Sequence, residues 1–144
     1  MAVLSTRVRG PGEKDWSKLI RMMKFLNKKI NDKLTISAGS SKGIERLDWF
    51  VDAAFVVHPD MKGHTGMAMK FRDGKGAPIQ SSLKQKLNTG SSTTCELVAV
   101  DQVLPLVLWT PLFMKEQGID IASNVVYQEN KSTILLEKIL LTKW

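Results

Sequence analysis

Three acidic residues lie where predicted structural elements begin or end, and carboxylates in that pattern are suited to metal chemistry. Asp52 stands inside an apolar run, Glu96 in the first turn of a predicted long helix, and Glu129 just after a predicted strand. If folding brings them together, the three carboxylates repel each other unless hard cations bind, and such oxygen ligands select magnesium, manganese or calcium. Two such ions would stabilise both the attacking and the leaving oxygen of a phosphodiester displacement.

Asp52 lies in an apolar run, residues 49–57, that is typical of a strand. At a period of two, both faces of this run are apolar, which predicts an interior strand in a sheet that is covered on both sides. An isolated ionised carboxylate is costly there, so we expect a cation, a metal ion or a raised pKa to accompany Asp52. The structural alternative is an ion pair with a buried lysine or arginine.

The other two acidic residues and the two histidines also have structural interpretations. Glu96 follows Thr93 at the spacing of a capping box, in which the glutamate bonds back to the Thr93 amide. Glu129 fits a solvated turn at the start of the last helix. His58 and His64 flank predicted turns, which is typical of ordinary loop histidines rather than of metal ligands or proton carriers.

The spacing of apolar residues predicts an α/β unit, more closely an α+β arrangement with a mixed sheet. The expected elements are three strands, a helix, a strand and a helix, at residues 48–57, 66–72, 77–83, 93–117, 124–128 and from Asn130 or Ser132 onward. Asp73-Gly74-Lys75-Gly76 is a good hairpin signal between the second and third strands. Pro105 and Pro111 each remove an amide donor, which predicts a kink or two shorter helices. Helices packed on a mixed sheet are the expected architecture.

Positive charge is concentrated in the first part of the chain. Residues 1–91 hold 17 lysine and arginine residues against 8 acidic ones, whereas residues 92–144 hold 4 against 6. Residues 16–30 form a predicted basic amphipathic helix that Asp15 is placed to cap. A basic region beside an acidic pocket suits a polyanion such as nucleic acid.

The rest of the composition favours a soluble intracellular protein. Cys95 is the single cysteine, so no disulfide framework is expected and a reducing compartment is favoured. The N-terminal residues lack the apolar core of a secretory signal. No apolar run is expected to be long enough to span a bilayer, so we expect no membrane partner.

Several short blocks occur in a specific order along the chain. They are Val51-Asp52-Ala53-Ala54-Phe55, His64-Thr65-Gly66, Lys84-Gln85-Lys86, Ser91-Ser92-Thr93-Thr94-Cys95-Glu96-Leu97 and Tyr127-Gln128-Glu129-Asn130-Lys131-Ser132-Thr133-Ile134. In sequence and spacing they resemble the ribonuclease H domain of copia-type retrotransposon polyproteins. Upstream, Leu4-Ser5-Thr6-Arg7-Val8 and the segment from Asp15-Trp16 to Met23-Lys24-Phe25-Leu26 resemble the end of the preceding reverse transcriptase region.

The resemblance implies a fold, a division into domains and a reaction. Residues 1–45 would be the tail of the reverse transcriptase region, and residues 46–144 a C-terminally truncated ribonuclease H-like domain. The implied reaction is hydrolysis of the RNA strand of an RNA/DNA hybrid with magnesium or manganese. The implied partners are the hybrid or another nucleic acid and the remainder of the reverse transcriptase polyprotein. The implied location is the cytoplasm, including retrotransposon particles, or the nucleus.

The resemblance also implies roles for the three acids as catalytic residues and metal ligands. Asp52 matches the aspartate that bridges both metals, and Glu96 matches the glutamate that holds one of them. Glu129 stands where the family has aspartate, so its arm is one methylene longer, and the family's fourth acid, on a later helix, is not reached. The alternative function is therefore a catalytically inactive remnant that serves as a nucleic-acid-binding or structural module.

Overall fold

The computed structural model describes residues 2–5, 7–39 and 43–141. Thr6, from an upstream block of the resemblance, and residues 142–144 lie outside the described residues. The chain divides into two compact units, Met1–Thr35 and Ile36–Trp144. The observed division falls before residue 45, where the sequence predicted the boundary between domains.

The first unit contains two helices, α1 (Ala2–Ser5) and α2 (Glu13–Lys28). The predicted basic amphipathic helix is present as α2, with Gly12 as its N-cap residue. Asp15 lies in the first turn, where its carboxylate accepts hydrogen bonds from the Gly12 amide at 3.1 Å and from Arg7 Nε at 2.8 Å. The Gly12 amide, followed by Arg7, lowers the pKa of Asp15.

The second unit is a mixed α/β fold that contains every element predicted downstream of residue 46. The elements are β1 (Arg46–Ala54), β2 (His64–Phe71), β3 (Ile79–Lys84), α3 (Ser92–Glu116), β4 (Ser123–Tyr127) and α4 (Lys131–Leu141). The strand order is β3-β2-β1-β4, in which β1 and β2 pair antiparallel, as do β2 and β3. β4 runs parallel to β1. The predicted mixed sheet is therefore confirmed, with strand boundaries shifted by one to three residues.

The core lies between one face of the sheet and α3. Alternate residues of β1 point to this core, and Trp49 is completely buried. The cluster consists of Leu47, Trp49, Val51, Met69, Ala99, Val103 and Val107. Alternate residues of β1 thus pack against apolar residues of α3, which accounts for the period of two in β1 and for the apolar composition of the helix.

The opposite face of β1 is open, which corrects the prediction of a strand covered on both sides. Phe50 is 44% exposed, and Asp52 and Ala54 on the same face are also exposed. The packing of β1 against helices in the described residues is with α3. The apolar residues of the open face misled the sequence prediction, because periodicity reports which residues share a face but not whether another layer covers that face.

Helix α3 is continuous through both of its prolines, so of the two predicted outcomes, a kink or two shorter helices, the division into two helices does not occur. Pro111 has no amide hydrogen, so the carbonyl of Val107, four residues earlier, lacks its usual helical donor. Asn124 Nδ2, from β4, donates to that carbonyl at 2.7 Å. Asn124 Oδ1 also accepts from the buried Trp49 Nε1 at 2.7 Å. One side chain therefore joins β4, α3 and β1 and satisfies the carbonyl that the proline leaves free.

By length and composition, α3 is also a helix that could cross a bilayer, with a mean hydropathy of 1.7 over its most apolar window. The expectation that no apolar run reaches this length was therefore wrong. A helix that packs one of its sides on a sheet can have the same length and apolar composition, so these two properties do not distinguish it from a membrane-spanning helix.

Candidate active site

The open face of the sheet carries a groove of about 600 Å³. Its lining comes from all four strands and from the segment that follows β4. Asp52 of β1 lies opposite Gly66 of β2, and Gly66 lies opposite Ser82 of β3. Because Gly66 has no side chain, the middle of the groove is open between Asp52 and Ser82. Glu129 lines the groove beyond the end of β4.

Asp52 projects from β1 into solvent at this groove. No ion pair of Asp52 is found among the described residues, so the structural alternative of a buried lysine or arginine partner receives no support. The sequence predicted a free-energy cost for burying this ionised carboxylate, but that cost does not arise, because water solvates the carboxylate.

Glu96 lies in the first turns of α3 and is only 7% exposed. The predicted capping box is wrong, because the helix begins one residue earlier and its N-cap is Ser91, whose Oγ accepts from the Thr94 amide at 3.1 Å. Glu96 Oε2 instead accepts from Gln128 Nε2 at 3.1 Å. The carboxylate is thus free of the helix start and turned toward the segment after β4.

Gln128 is a site residue that sequence reasoning missed. Its amide group donates to Glu96, and its Oε1 accepts from the Asn130 amide at 3.2 Å. Asn130 Oδ1 in turn accepts from the amides of Ser132 and Thr133 at the start of α4. The signal was the position of an amide directly before the acidic residue Glu129, since an amide there can orient a neighbouring carboxylate.

Glu96 is under the electrostatic influence of the other two predicted acids. Burial raises the pKa of Glu96, and the negative charges of Asp52 and Glu129 raise it further. Gln128 and the Ala53 amide act in the opposite direction, because they donate to the ionised form. The fold has therefore placed Glu96 within electrostatic reach of two acids from other parts of the chain, Asp52 and Glu129.

These carboxylates have the donor chemistry of a magnesium site, but they are not gathered into a closed set of ligands. Within the described ranges, no three His, Cys, Asp or Glu side chains are arranged to hold one ion. Asp52 and Glu129 are exposed, and one oxygen of Glu96 is hydrogen-bonded to Gln128. Hard oxygen donors with uncompensated negative charge fit magnesium or manganese in kind. Glu129, whose side chain is one methylene longer than aspartate, is the residue that departs from the pattern of the family that the chain resembles.

Two aromatic rings line the groove beside the acids. The rings of Phe50 and Tyr127 stack with their centroids 5.0 Å apart and their planes 10° from parallel. Arg46 lies over the Tyr127 ring, 5.9 Å from its centroid, and donates to the Tyr127 hydroxyl. Arg46 Nε also pairs with Asp48 at 2.7 Å. The result is a half-exposed, flat aromatic surface that a base or a sugar can contact.

The two histidines are not ordinary loop residues. His58 is buried, and its Nε2 lies 2.9 Å from His64 Nδ1. His64 Nε2 in turn lies 2.8 Å from Ser82 Oγ, in the lining of the groove. Burial, and then the neighbouring His58, lower the pKa of His64. Nothing in the sequence indicated this series of hydrogen bonds, because loop and strand residues separate His58, His64 and Ser82.

Comparison of the chain with protein-family models, curated proteins and solved structures found no significant match. The fold and site together define a mixed α/β unit with a carboxylate-bearing groove on its open sheet face.

Proposed function

We propose that the second unit is a ribonuclease H-like domain that hydrolyses the RNA strand of an RNA/DNA hybrid in a metal-dependent reaction. The observation that carries the proposal is that Asp52 and Glu129 line one groove and that their negative charges reach Glu96, whose pKa they raise. The resemblance assigns these residues to one metal site, and they come from β1, α3 and the segment after β4.

The order of elements also supports this proposal. The resemblance implies three antiparallel strands followed by helix, strand and helix, with the catalytic aspartate on the first strand. The sheet order β3-β2-β1-β4 puts that strand in the interior of the sheet, next to the parallel strand that leads to Glu129. Asp52 and Glu129 therefore lie at the same end of neighbouring strands.

Each residue of the site would have a distinct task. Asp52, Glu96 and Glu129 would hold magnesium, which when bound supplies positive charge for the phosphodiester and a more acidic water. Gln128, which itself lines the groove, would hold the Glu96 carboxylate toward the segment after β4. The open sheet face receives the hybrid, which such a domain reads by its shape and 2′-hydroxyl groups rather than by base sequence.

Cleavage of a labelled RNA/DNA hybrid in magnesium tests this proposal directly. The Asp52→Asn variant is expected to lose at least about 100-fold in rate, because it removes a charge that must act on the reacting phosphate. Asp120→Asn is the matched control, since Asp120 is an exposed acid in the segment before β4, at the opposite end of that strand from Glu129. Equal activity in wild type and Asp52→Asn would remove the catalytic claim.

A second candidate function is a catalytically inactive module that binds nucleic acid. The observation in its favour is that the described residues contain no set of three acids arranged for one ion. The extra methylene of Glu129 shifts its carboxylate by about 1 Å, and such a displacement can cost roughly 100-fold in catalysis. The net charge of the whole chain, +7, favours binding to a polyanion, and most of it lies in residues 1–35, which hold 9 lysine and arginine residues against 3 acidic ones.

The Glu129→Asp variant separates the two functions. If the site is a metal centre weakened by one methylene, this variant gains magnesium affinity or cleavage rate over wild type. If the unit only binds nucleic acid, both proteins bind a hybrid in a salt-sensitive manner without cleaving it. Absence of binding at low salt would contradict both functions.

A further inference from the structure

A chain of hydrogen bonds links the buried interior to the groove. It runs from His58 to His64 at 2.9 Å and from His64 to Ser82 at 2.8 Å. His58 is 4% exposed, whereas Ser82 is exposed in the groove lining. The proposed hydrolysis does not use any of these three side chains.

The proton positions along this chain can take two forms. In one form, His58 donates to His64 Nδ1 and His64 Nε2 donates to Ser82 Oγ, so the serine proton is free to bond to a ligand. In the other form, every donor is reversed and the serine oxygen becomes an acceptor for a ligand. An anionic ligand selects the first form, because it offers only acceptors. A neutral imidazole pair can therefore present a hydroxyl donor to an anion without carrying a charge itself.

The local charge also favours an anion. Lys84 lies on the same strand and the same side of the sheet as Ser82, opposite His64 in the β2–β3 register. Lys84 Nζ is 2.7 Å from Asp60 Oδ2, and Lys62 Nζ is 4.0 Å from the same oxygen. Two lysines thus share one aspartate, so this group of side chains, which lies beside His64 on β3 and the preceding loop, carries a net positive charge, whereas Asp52 makes the middle of the groove negative.

The position of Ser82 relative to Asp52 suits a single nucleic-acid strand. β2 separates their strands, and neighbouring strands are about 4.8 Å apart, so the two residues lie roughly 10 Å apart across Gly66. Measured along the helix axis, where each nucleotide of a strand advances roughly 3.4 Å, that distance corresponds to about three nucleotides of a duplex. A strand with one phosphate at Asp52 would therefore pass over Gly66 and present a further phosphate to Ser82.

We infer that Ser82, oriented by His64 and His58, is a binding site for a backbone phosphate of the nucleic-acid strand that crosses the groove. This inference rests on the proposed function only in taking the ligand to be a nucleic-acid strand that crosses the groove past Asp52. His64 and His58 are positioning residues, since Ser82 makes the contact.

The test uses the full chain in metal-free, low-salt buffer with two probes, inorganic phosphate and an RNA/DNA hybrid. In wild type, nuclear magnetic resonance of the imidazole nitrogens should show a change at His64 when either probe is added. Ser82→Ala should abolish the response to phosphate and weaken hybrid binding about tenfold, the loss expected for one hydrogen bond to a charged group. Ser82→Thr keeps the hydroxyl and should restore both.

A matched control and a stability measurement separate binding from structure. Ser81 also contributes to the groove lining, but along β3 its side chain alternates with that of Ser82 and points to the other face of the sheet, so Ser81→Ala should leave both responses unchanged. Ser82→Ala should keep the wild-type unfolding temperature. If Ser82→Ala lowers the unfolding temperature but leaves the affinity for the hybrid unchanged, the hydrogen bonds from His58 to Ser82 only stabilise the pairing of β2 with β3, and the inference would be wrong.

Failure of this inference is distinguishable from failure of the nuclease proposal. If wild type cleaves the hybrid and Ser82→Ala binds it within twofold of wild type, the phosphate site is wrong and the nuclease proposal stands. If binding depends on Ser82 but no cleavage occurs, the phosphate site stands and the nuclease proposal does not. A wild-type protein that binds neither probe overturns the inference.

Discussion

Asn124 offers the most quantitative test of how this fold assembles its site. Its side chain connects the three elements that carry or precede the acids: β4 itself, β1 through Trp49, and α3 through Val107. Replacement by alanine removes both hydrogen bonds without adding bulk. It leaves the buried Trp49 N–H without its acceptor and the Val107 carbonyl without its only substitute for the proline-blocked donor.

The size of the effect follows from the two groups that lose their partners. Trp49 is completely buried and Val107 is 4% exposed. Each unsatisfied group costs about 1–3 kcal/mol, so Asn124→Ala should lower the free energy of unfolding by about 4 kcal/mol. For a unit of this size, that corresponds to a fall in unfolding temperature of roughly 15 °C.

The assay is urea unfolding of wild type, Asn124→Ala, Pro111→Ala and the double variant. Pro111→Ala returns an amide donor to the Val107 carbonyl, so Asn124 matters less in that background. The cycle should give a coupling free energy of about 1 kcal/mol or more between the two positions. A cost below about 1 kcal/mol for Asn124→Ala, or equal costs in both backgrounds, would refute the assigned role of Asn124.

Two further variants test the electrostatics and the shape of the groove. Burial raises the pKa of Glu96, so the stability that its protonated form contributes is present below the unfolded-state pKa of about 4.3 and is lost as the pH rises through the folded-state pKa. Glu96→Gln should therefore be more stable than wild type at pH 7 without metal, and thermal unfolding should show that this gain in stability vanishes in acid. A constant gain at every pH would contradict this reasoning. A Cβ at Gly66 would meet only the Asp52 carbonyl oxygen, at 3.8 Å, so Gly66→Val should fold normally yet block the groove and reduce hybrid binding at least about tenfold. Gly90→Val is its control, because a Cβ there meets open space, and equal hybrid binding by both variants would show that the ligand does not use the groove.

The order of elements and the residues that share each face could be predicted from the sequence. Apolar period two and helical spacing are local properties, so they located all four strands and α3 to within a few residues. The same patterns put Asp52, Glu96 and Glu129 at the start or end of elements, and in the folded unit the negative charges of Asp52 and Glu129 raise the pKa of Glu96. Whether the prolines would kink the helix or divide it stayed open, because their effect depends on whether another residue satisfies the freed carbonyl.

The contacts that make the site were decided by the tertiary structure. Asn124 reaches Val107, Gln128 reaches Glu96, and His64 reaches Ser82, and every one of these pairs joins different elements. Periodicity within one segment contains no information about the register between segments or about which sheet face receives a covering layer. For this reason residue types and spacing determined the candidate acids, whereas the open face, the groove and the polar partners arose only when the strands were paired and α3 packed on one side.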